Sequence, residues 1–132
     1  MIAYTDSLEG VEPRHLEGFF AGWPSPPSPE RHVELLRGSA AVVLARDGER
    51  VVGFVTAISD GVLSAAIPLL EVLPEYQGRG IGSELVRRLL AALDGLYMID
   101  LSCDAELEPF YARLGFRTLE RGMGIRNYEA AG

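Results

Sequence analysis

Three glycines in alternate positions, Gly78, Gly80 and Gly82, are the residues of this sequence best suited to bind phosphate. They follow an apolar run typical of a strand and lead directly into an amphipathic pattern that begins at Ile81. In such a connection the backbone N–H groups of residues 78–83 can converge on one anion at the helix N-terminus. Glycine matters there because a Cβ atom would hold a diphosphate away from the backbone. The segment therefore predicts a phosphate-binding loop, with an ordinary strand-to-helix turn as the alternative.

The spacing of these glycines differs from two other phosphate-binding motifs. A dinucleotide-binding Gly-x-Gly-x-x-Gly pattern counted from Gly78 or Gly80 would require a glycine where the chain has Ser83 or Leu85. A Walker loop requires Gly-Lys-Ser/Thr, which the sequence lacks. Neither class of nucleotide-binding protein explains the segment.

Two segments of the chain resemble motifs of the GNAT superfamily of acyl-CoA-dependent N-acetyltransferases. The stretch from Gln77 to Gly82 is similar to the pyrophosphate motif Gln/Arg-x-x-Gly-x-Gly/Ala of that family. The stretch from Phe110 to Phe116, roughly thirty residues later, is similar to the segment Phe/Leu-Tyr-x-x-Leu-Gly-Phe. Two motifs in the right order and at the right distance are more specific than either alone. The resemblance extends from about Val42 to Asn127.

The resemblance implies both a fold and an activity. The fold is an α/β (α+β) arrangement, a mixed central sheet with a splayed strand pair and flanking helices. The activity is transfer of an acetyl group from acetyl-CoA to a primary amine, directly, within a ternary complex. Two alternatives remain open: a catalytically degenerate module that binds or senses acyl-CoA, and a transferase of another acyl group. The acceptor is a small-molecule or peptide amine, and a homodimer is a further expectation, since relatives often dimerise through their last strands.

The resemblance also assigns roles to individual residues. Backbone groups of Leu70 and Val72 pair with the pantetheine arm, and the following amides hold the pyrophosphate: Gly78, Arg79, Gly80, Ile81, Gly82 and Ser83. Tyr111 is the general acid for the departing thiolate, whereas an arbitrary tyrosine at that place would more often pack a helix against the sheet. The chain departs from many relatives at Asp104, where they have an asparagine that contacts the cofactor. We expect this carboxylate to cap the next helix.

The general base is less defined. Strand alternation puts Ala66, Pro68 and Leu70 on one face, so Glu71 points the other way unless a bulge at Pro68 changes the register. Asp100 on the neighbouring strand has the same ambiguity, and a relay of waters from a distant acid is the third choice. The backbone N–H after Val72 is the expected partner of the thioester carbonyl, because splaying of the strands would leave it unpaired.

Other residues with reactive side chains favour structural roles. His15 and His32 could line an acceptor pocket, but surface positions are the more common case. Cys103 has no neighbour in sequence that would lower its pKa, so we expect a small buried residue. Trp23, next to a proline-rich loop, could equally well form the floor of the acceptor pocket or cover the core.

The elements that must position these residues follow from periodicity and from turn residues. Pro68 predicts a bulge or an edge within its strand, because proline cannot donate to a ladder. An extended loop is expected for the segment from Pro24 to Pro29. The predicted helices contain Val11–Phe20, then a segment that Ser28 caps and Pro29 opens, then Ile81–Leu93 and Pro109–Leu114; the predicted strands are Ala40–Arg46, Arg50–Ser59, Val62–Val72 and Tyr97–Cys103, with a closing hairpin in Phe116–Asn127.

Composition limits the classes of protein to which the chain can belong. Its 132 residues fit one domain, residues 1–132, and 48% hydrophobic residues are too many for a disordered chain. The net charge of -7 argues against a nucleic-acid partner and weakly favours a cationic acceptor. No apolar run suits a membrane span or a signal peptide, so we expect a cytoplasmic protein. A single cysteine, Cys103, predicts neither a disulfide nor a metal site.

Overall fold

The computed structural model describes residues 1–132 and contains one five-stranded sheet in the order β1-β2-β3-β4-β5. The strands from β1 to β4 run antiparallel, and β4 and β5 run parallel. The sheet is therefore mixed, as the sequence predicts. Its strands are β1 (Ile2–Thr5), β2 (Ala41–Asp47), β3 (Arg50–Ser59), β4 (Ser64–Val72) and β5 (Met98–Asp100).

Three α-helices accompany the sheet: α1 (Pro29–Gly38), α2 (Ile81–Ala92) and α3 (Glu108–Ala112). The start of α1 is as predicted, because the Ser28 hydroxyl accepts a hydrogen bond from the N–H of Arg31 at 3.1 Å and proline occupies the first helical position. The α2 helix follows Gly80 and buries its apolar stripe. None of the helices is long and apolar enough to cross a membrane.

The two faces of the sheet are covered by different segments. Helix α2 lies against one face so closely that a Cβ on Gly53 would stand 3.1 Å from Cδ1 of Leu85. The other face packs against α1 and the N-terminal segment, where the ring of Phe54 lies 5.2 Å from Phe19 and 4.3 Å from His32. One cluster of 22 buried residues joins both layers.

A bulge interrupts β4 at Pro68, as predicted. Thr56 of β3 pairs with Leu69, whereas Ile58 pairs with Ala66, so Ile67 and Pro68 together oppose one residue of β3. Beyond this point β4 and β5 separate. Their pairing is limited to Ser64–Ala66 with Met98–Asp100. The second half of β4 thus has a neighbour on one side only, which is the predicted splayed pair.

The predicted helix over Val11–Phe20 is wrong. The segment contains only a 3-10 turn at Pro13–His15, although Leu16 and Phe20 are as buried as the prediction requires. Left-handed backbone at Gly18 and at Phe20 (φ 64°) rules out a continuous helix. The chain also forms β1 before this segment, a strand that the periodicity did not predict.

The C-terminal predictions hold in part. Helix α3 forms and Gly115, at φ 99°, follows it, but the strand expected over Tyr97–Cys103 contains only Met98–Asp100. The hairpin expected over Phe116–Asn127 is absent, and a 3-10 turn at Tyr128–Ala131 ends the chain. Met123 and Ile125 are almost fully exposed, so this segment has no apolar surface of its own chain on which a hairpin could fold.

Candidate functional site

The glycine loop has the conformation that only glycine adopts readily. Gly78 and Gly80 have φ of 79° and 81°, and nothing lies within 4 Å of a Cβ built on either residue. The space beside the loop is therefore open, at the N-terminal end of α2. Gly82 faces the protein instead, because its Cβ position lies 3.5 Å from the ring of Phe110 and 3.8 Å from Val72. The loop, the end of β4 and α3 meet at this point.

Polar side chains hold the loop in place. Gln77 Nε2 donates to the carbonyl oxygen of Val72 at 3.0 Å, which ties the start of the loop to the end of β4. Arg79 donates to the carbonyl oxygen of Glu75 at 3.1 Å, and its guanidinium carbon lies 5.0 Å from the ring centroid of Tyr76. The sequence motif includes Gln77, but it does not predict the hydrogen bond between Gln77 and Val72.

Backbone groups of Leu70 and Val72 face the gap between β4 and β5. The N–H of Leu73 donates to the carbonyl oxygen of Val52 at 2.9 Å. Because hydrogen-bonded pairs alternate along an antiparallel ladder, Glu71 also pairs with β3, and Leu70 and Val72 direct their backbone groups the other way. The N–H after Val72 is therefore not unpaired, and its expected role toward a thioester carbonyl is wrong.

Glu71 lies on the opposite face from Leu70 and Val72. Because two residues oppose one at the bulge, Ala66 and Glu71 share a face, and the expectation that Ala66 and Leu70 do so is wrong. Glu71 Oε1 accepts a hydrogen bond from the N–H of Phe20 at 2.8 Å. The carboxyl is half-buried, and burial raises its pKa more than this hydrogen bond lowers it. Asp100, by contrast, is exposed at the end of β5.

Tyr111 is buried on α3, with 8% of its surface exposed. Its ring packs edge-on against Phe110 and Phe116 at centroid distances of 4.9 and 5.6 Å. Burial raises the pKa of its hydroxyl, and the nearby Cys103 thiol adds a smaller effect in the same direction. Cys103 itself is exposed, so the prediction of a buried cysteine is wrong. Asp104 stands at the start of a 3-10 turn, but its side chain makes no capping hydrogen bond, contrary to expectation.

An open groove of about 410 Å³ lies on the same face as Glu71. Its walls come from the N-terminal segment, α1, β4 and the end of the chain, and Trp23 is 42% exposed there. Of the two expected positions of Trp23, the structure shows the one at a pocket, whereas the nearby Phe19 lies in the core. The lining residues are Phe20, Trp23, Pro27, Arg31, Glu34, Leu35, Leu69 and Ala131.

Both histidines are buried, so the prediction of surface positions is wrong. His15 accepts a hydrogen bond from the N–H of Glu12 at its Nδ1, whereas neither ring nitrogen of His32 has a partner. The His32 ring lies among Phe19, Phe20 and Phe54, where burial lowers its pKa to about 4. Periodicity placed His32 on a helix, but a sequence does not show which face of the helix a partner segment covers.

Comparison with known proteins gives matches over most of the chain. The model of the acetyltransferase (GNAT) family matches residues 8–116. The crystal structure of a proposed acetyltransferase from Deinococcus radiodurans R1 is similar with a TM-score of 0.95 and 50% identity, over 98% of this chain and 91% of that one. A GNAT-family acetyltransferase from Streptococcus pneumoniae TIGR4 has a TM-score of 0.80 and 32% identity, over 96% of this chain and 98% of that one.

Curated relatives are longer than this chain. GCN5-related N-acetyltransferase 2 (chloroplastic) of Arabidopsis thaliana is 37% identical over 84 residues, which are 58% of this chain and 33% of that protein. Glucosamine 6-phosphate N-acetyltransferase 1 of Oryza sativa subsp. japonica is 35% identical over 92 residues, 68% of this chain and 50% of that protein. The chain thus spans between a third and a half of the length of these relatives.

Proposed function

The chain belongs to the GNAT family of acetyltransferases, and on that premise we propose that it moves an acetyl group from acetyl-CoA to a primary amine by direct transfer in a ternary complex. The observation that carries the proposal is the meeting of the glycine loop, the unpaired side of β4 and α3 around Gly82. This junction offers backbone donors beside open space and lies near the buried Tyr111 of α3, while the half-buried Glu71 carboxylate is on the opposite face of the same strand, β4. We include residues 1–132 in one catalytic domain.

The residues present fit acetyl-CoA. Its pyrophosphate would be held by the amides of the loop at the N-terminus of α2, and its pantetheine arm by the backbone of Leu70 and Val72, in the manner of an added strand. To admit the arm, Gln77 would give up its hydrogen bond to the Val72 carbonyl oxygen, or that oxygen would accept a second hydrogen bond from the arm. When bound, acetyl-CoA supplies an activated acetyl thioester. The pyrophosphate donors are Gly78, Arg79, Gly80, Ile81, Gly82 and Ser83.

Glu71 is the proposed general base. An amine attacks only after losing a proton, and the Glu71 carboxylate stands on the groove face with one oxygen held by the N–H of Phe20. Its raised pKa brings it closer to neutral pH, where a base removes protons most effectively. The exposed Asp100 lacks this environment.

Tyr111 is the proposed general acid. Its raised pKa keeps the hydroxyl protonated at neutral pH, so it can give its proton to the thiolate as the C–S bond breaks and the N–C bond forms. As the amide forms, the nitrogen loses a second proton, which the Tyr111 oxygen takes up. The proton balance closes, because Glu71 takes the first proton of the ammonium group and releases it to solvent, and Tyr111 passes the second to the thiolate.

We also propose that the protein forms a homodimer through the segment after Gly115. Leu119, Met123 and Ile125 are exposed there, and β5 pairs on one side only. Sedimentation equilibrium measures the mass directly, and a mass of one chain at every concentration contradicts the proposal.

The test of the activity is release of free thiol from acetyl-CoA in the presence of a broad panel of amines. We expect turnover with at least one amine, and a fall of roughly 10²- to 10⁴-fold in Glu71→Gln with unchanged affinity for acetyl-CoA. Glu49→Gln, an exposed carboxylate in the β2–β3 turn, is the matched control. Binding of acetyl-CoA without turnover of any amine would point to a sensing module, and turnover only with longer acyl-CoA would point to another acyl group.

A further inference from the structure

The groove has two neighbours of Glu71 among its lining residues. Phe20 is a lining residue of the groove, and its backbone N–H donates to the Glu71 carboxylate. Leu69, another lining residue, precedes Glu71 by two positions beyond the bulge and shares its face of β4. A molecule lying in the groove thus touches the two residues that adjoin Glu71, although Glu71 is not itself a lining residue.

The walls of the groove are mainly apolar. The indole of Trp23 packs edge-on against Phe20 at 5.0 Å and leaves 42% of its surface exposed at the groove. Leu35 and Leu69 are partly buried and continue this surface. A volume of about 410 Å³ is within the range of sites for small molecules. The lining suits a flat apolar group that can stack on the indole.

The charges of the groove argue against highly polar acceptors. Arg31 and Glu34 are its charged lining residues, and neither forms an ion pair within the chain. One positive charge beside one negative charge makes a poor site for a phosphate group, which prefers clustered donors and cations. A polyamine has no apolar body to lie against Trp23 and would leave the apolar walls without a partner. Glucosamine 6-phosphate, the sugar phosphate in the name of the Oryza sativa relative, therefore does not suit this groove.

We infer that the acceptor is a small primary amine with an apolar, preferably aromatic, body. The body lies against Trp23 and between Leu35 and Leu69, and the ammonium group reaches Glu71. The inference rests on the proposed function for the role of this amine, but binding in the groove is a separate property and can be measured without turnover.

Trp23 provides the measurement, because it is the single tryptophan of the chain. The protein without acetyl-CoA is titrated with phenethylamine, glucosamine 6-phosphate or spermidine, and tryptophan fluorescence is recorded. We expect a saturable change with phenethylamine, at a dissociation constant at least roughly tenfold below that of either polar amine. The absence of saturation with phenethylamine, or equal or tighter binding of a polar amine, overturns the inference.

Two variants locate the binding site. Leu35→Ala should weaken the binding of phenethylamine by roughly fivefold or more. Leu63→Ala, which truncates an exposed leucine in the β3–β4 turn, should leave this affinity unchanged. Glu71→Gln should weaken the binding of phenethylamine but not the binding of 2-phenylethanol, which has no ammonium group.

Melting curves show whether each variant is folded. If Leu35→Ala does not fold, the result of Glu71→Gln decides. Equal effects of Leu35→Ala and Leu63→Ala, or no effect of Glu71→Gln, contradict the placement. Binding with no acetylation in the thiol assay contradicts the proposed function instead.

Discussion

At the scale of single residues, the environment of Glu71 shows how a strand carboxylate is prepared for proton transfer. Partial burial disfavours its charge and raises the pKa, and one hydrogen bond from the Phe20 backbone offsets only part of this effect. A base with a raised pKa loses activity as the pH falls through that raised value. In kcat/KM profiles of the wild type, the acid limb should therefore lie above the usual range of a glutamate.

Gly80→Glu is expected to abolish binding of acetyl-CoA. The new side chain would occupy the open space beside the loop and place a negative charge where the pyrophosphate is proposed to bind. Gly61→Glu is the matched control, because Gly61 also has a positive φ (75°) with open space around it but lies at the other end of β4. Isothermal calorimetry measures both affinities. Unchanged affinity in a folded Gly80→Glu protein would remove the loop from the proposed site.

Tyr111→Phe is expected to lower turnover by roughly 10²- to 10⁴-fold while the affinity for acetyl-CoA barely changes. The substitution keeps the ring packed between Phe110 and Phe116 and removes only the hydroxyl. Tyr97→Phe, at an 82% exposed tyrosine, controls for removal of a hydroxyl elsewhere. Steady-state kinetics give the comparison, and near-normal turnover would show that Tyr111 is a packing residue.

The reach of sequence reasoning differs from residue to residue. The left-handed glycines of the loop could be anticipated, because the motif and the following helix specify their local geometry. The orientation of Glu71 could not, since it depends on how many residues the bulge at Pro68 contains. The burial of His32 and the exposure of Cys103 depend on which segments pack over them, which composition and spacing do not specify.

At the scale of secondary-structure elements, the sequence was sufficient to predict an element where a cap or a turn residue marks its end. Helix α1 has its cap at Ser28, and the β2–β3 hairpin has its two-residue turn at Gly48 and Glu49. The segment over Val11–Phe20 has an apolar pattern but no cap or turn signal at its ends. Its apolar side chains are buried by contacts with the rest of the fold, without forming one face of a helix. The hairpin expected near the C-terminus lacked a surface on which to fold.

His32 on α1 should make the stability of the fold depend on pH. Its folded pKa of about 4 lies below the ordinary value of 6.5, so the unfolded chain takes up the proton first as the pH falls. The stability present above the ordinary value is therefore lost progressively as the pH falls toward the folded value, by on the order of 3 kcal/mol in total.

The variant that tests this dependence is His32→Leu, which keeps an apolar side chain among Phe19, Phe20 and Phe54. Urea unfolding of both proteins between about pH 7 and pH 4.5 gives the slope of the free energy of unfolding against pH for each protein. We expect the wild type to lose more stability over this range than the variant. Parallel curves would mean that other groups cause the pH dependence.

The half of β4 beyond the bulge should show alternating hydrogen exchange. The amides of Glu71 and Leu73 pair with β3, whereas those of Leu70 and Val72 face the gap. We expect the second pair to exchange quickly in the protein alone and slowly with acetyl-CoA, and the first pair to be protected in both states. Residue-resolved exchange by NMR distinguishes the two pairs, and protection of Leu70 and Val72 without ligand would contradict the proposed pantetheine contacts.

At the scale of the whole molecule, the proposed site combines distant parts of the chain. The groove takes Trp23 from the N-terminal part, Glu71 comes from the middle, and Tyr111 comes from α3. These parts come together only around the completed sheet, so the proposed activity cannot be assigned to a local segment. The net charge of -7 adds a general attraction for ammonium groups, which is independent of the groove.

The unpaired side of β4 has a consequence for the colloidal behaviour of the protein. An uncovered row of strand N–H and C=O groups is a template to which strands of other molecules add, and such addition is a common start of aggregation. Beyond Pro68, which has no N–H to donate, the backbone groups of Leu70 and Val72 belong to this row. The pantetheine arm would cover this row as an extra strand. The substrate would then act as a solubilising agent, and light scattering on heating should develop later with acetyl-CoA than with an equal concentration of pyrophosphate.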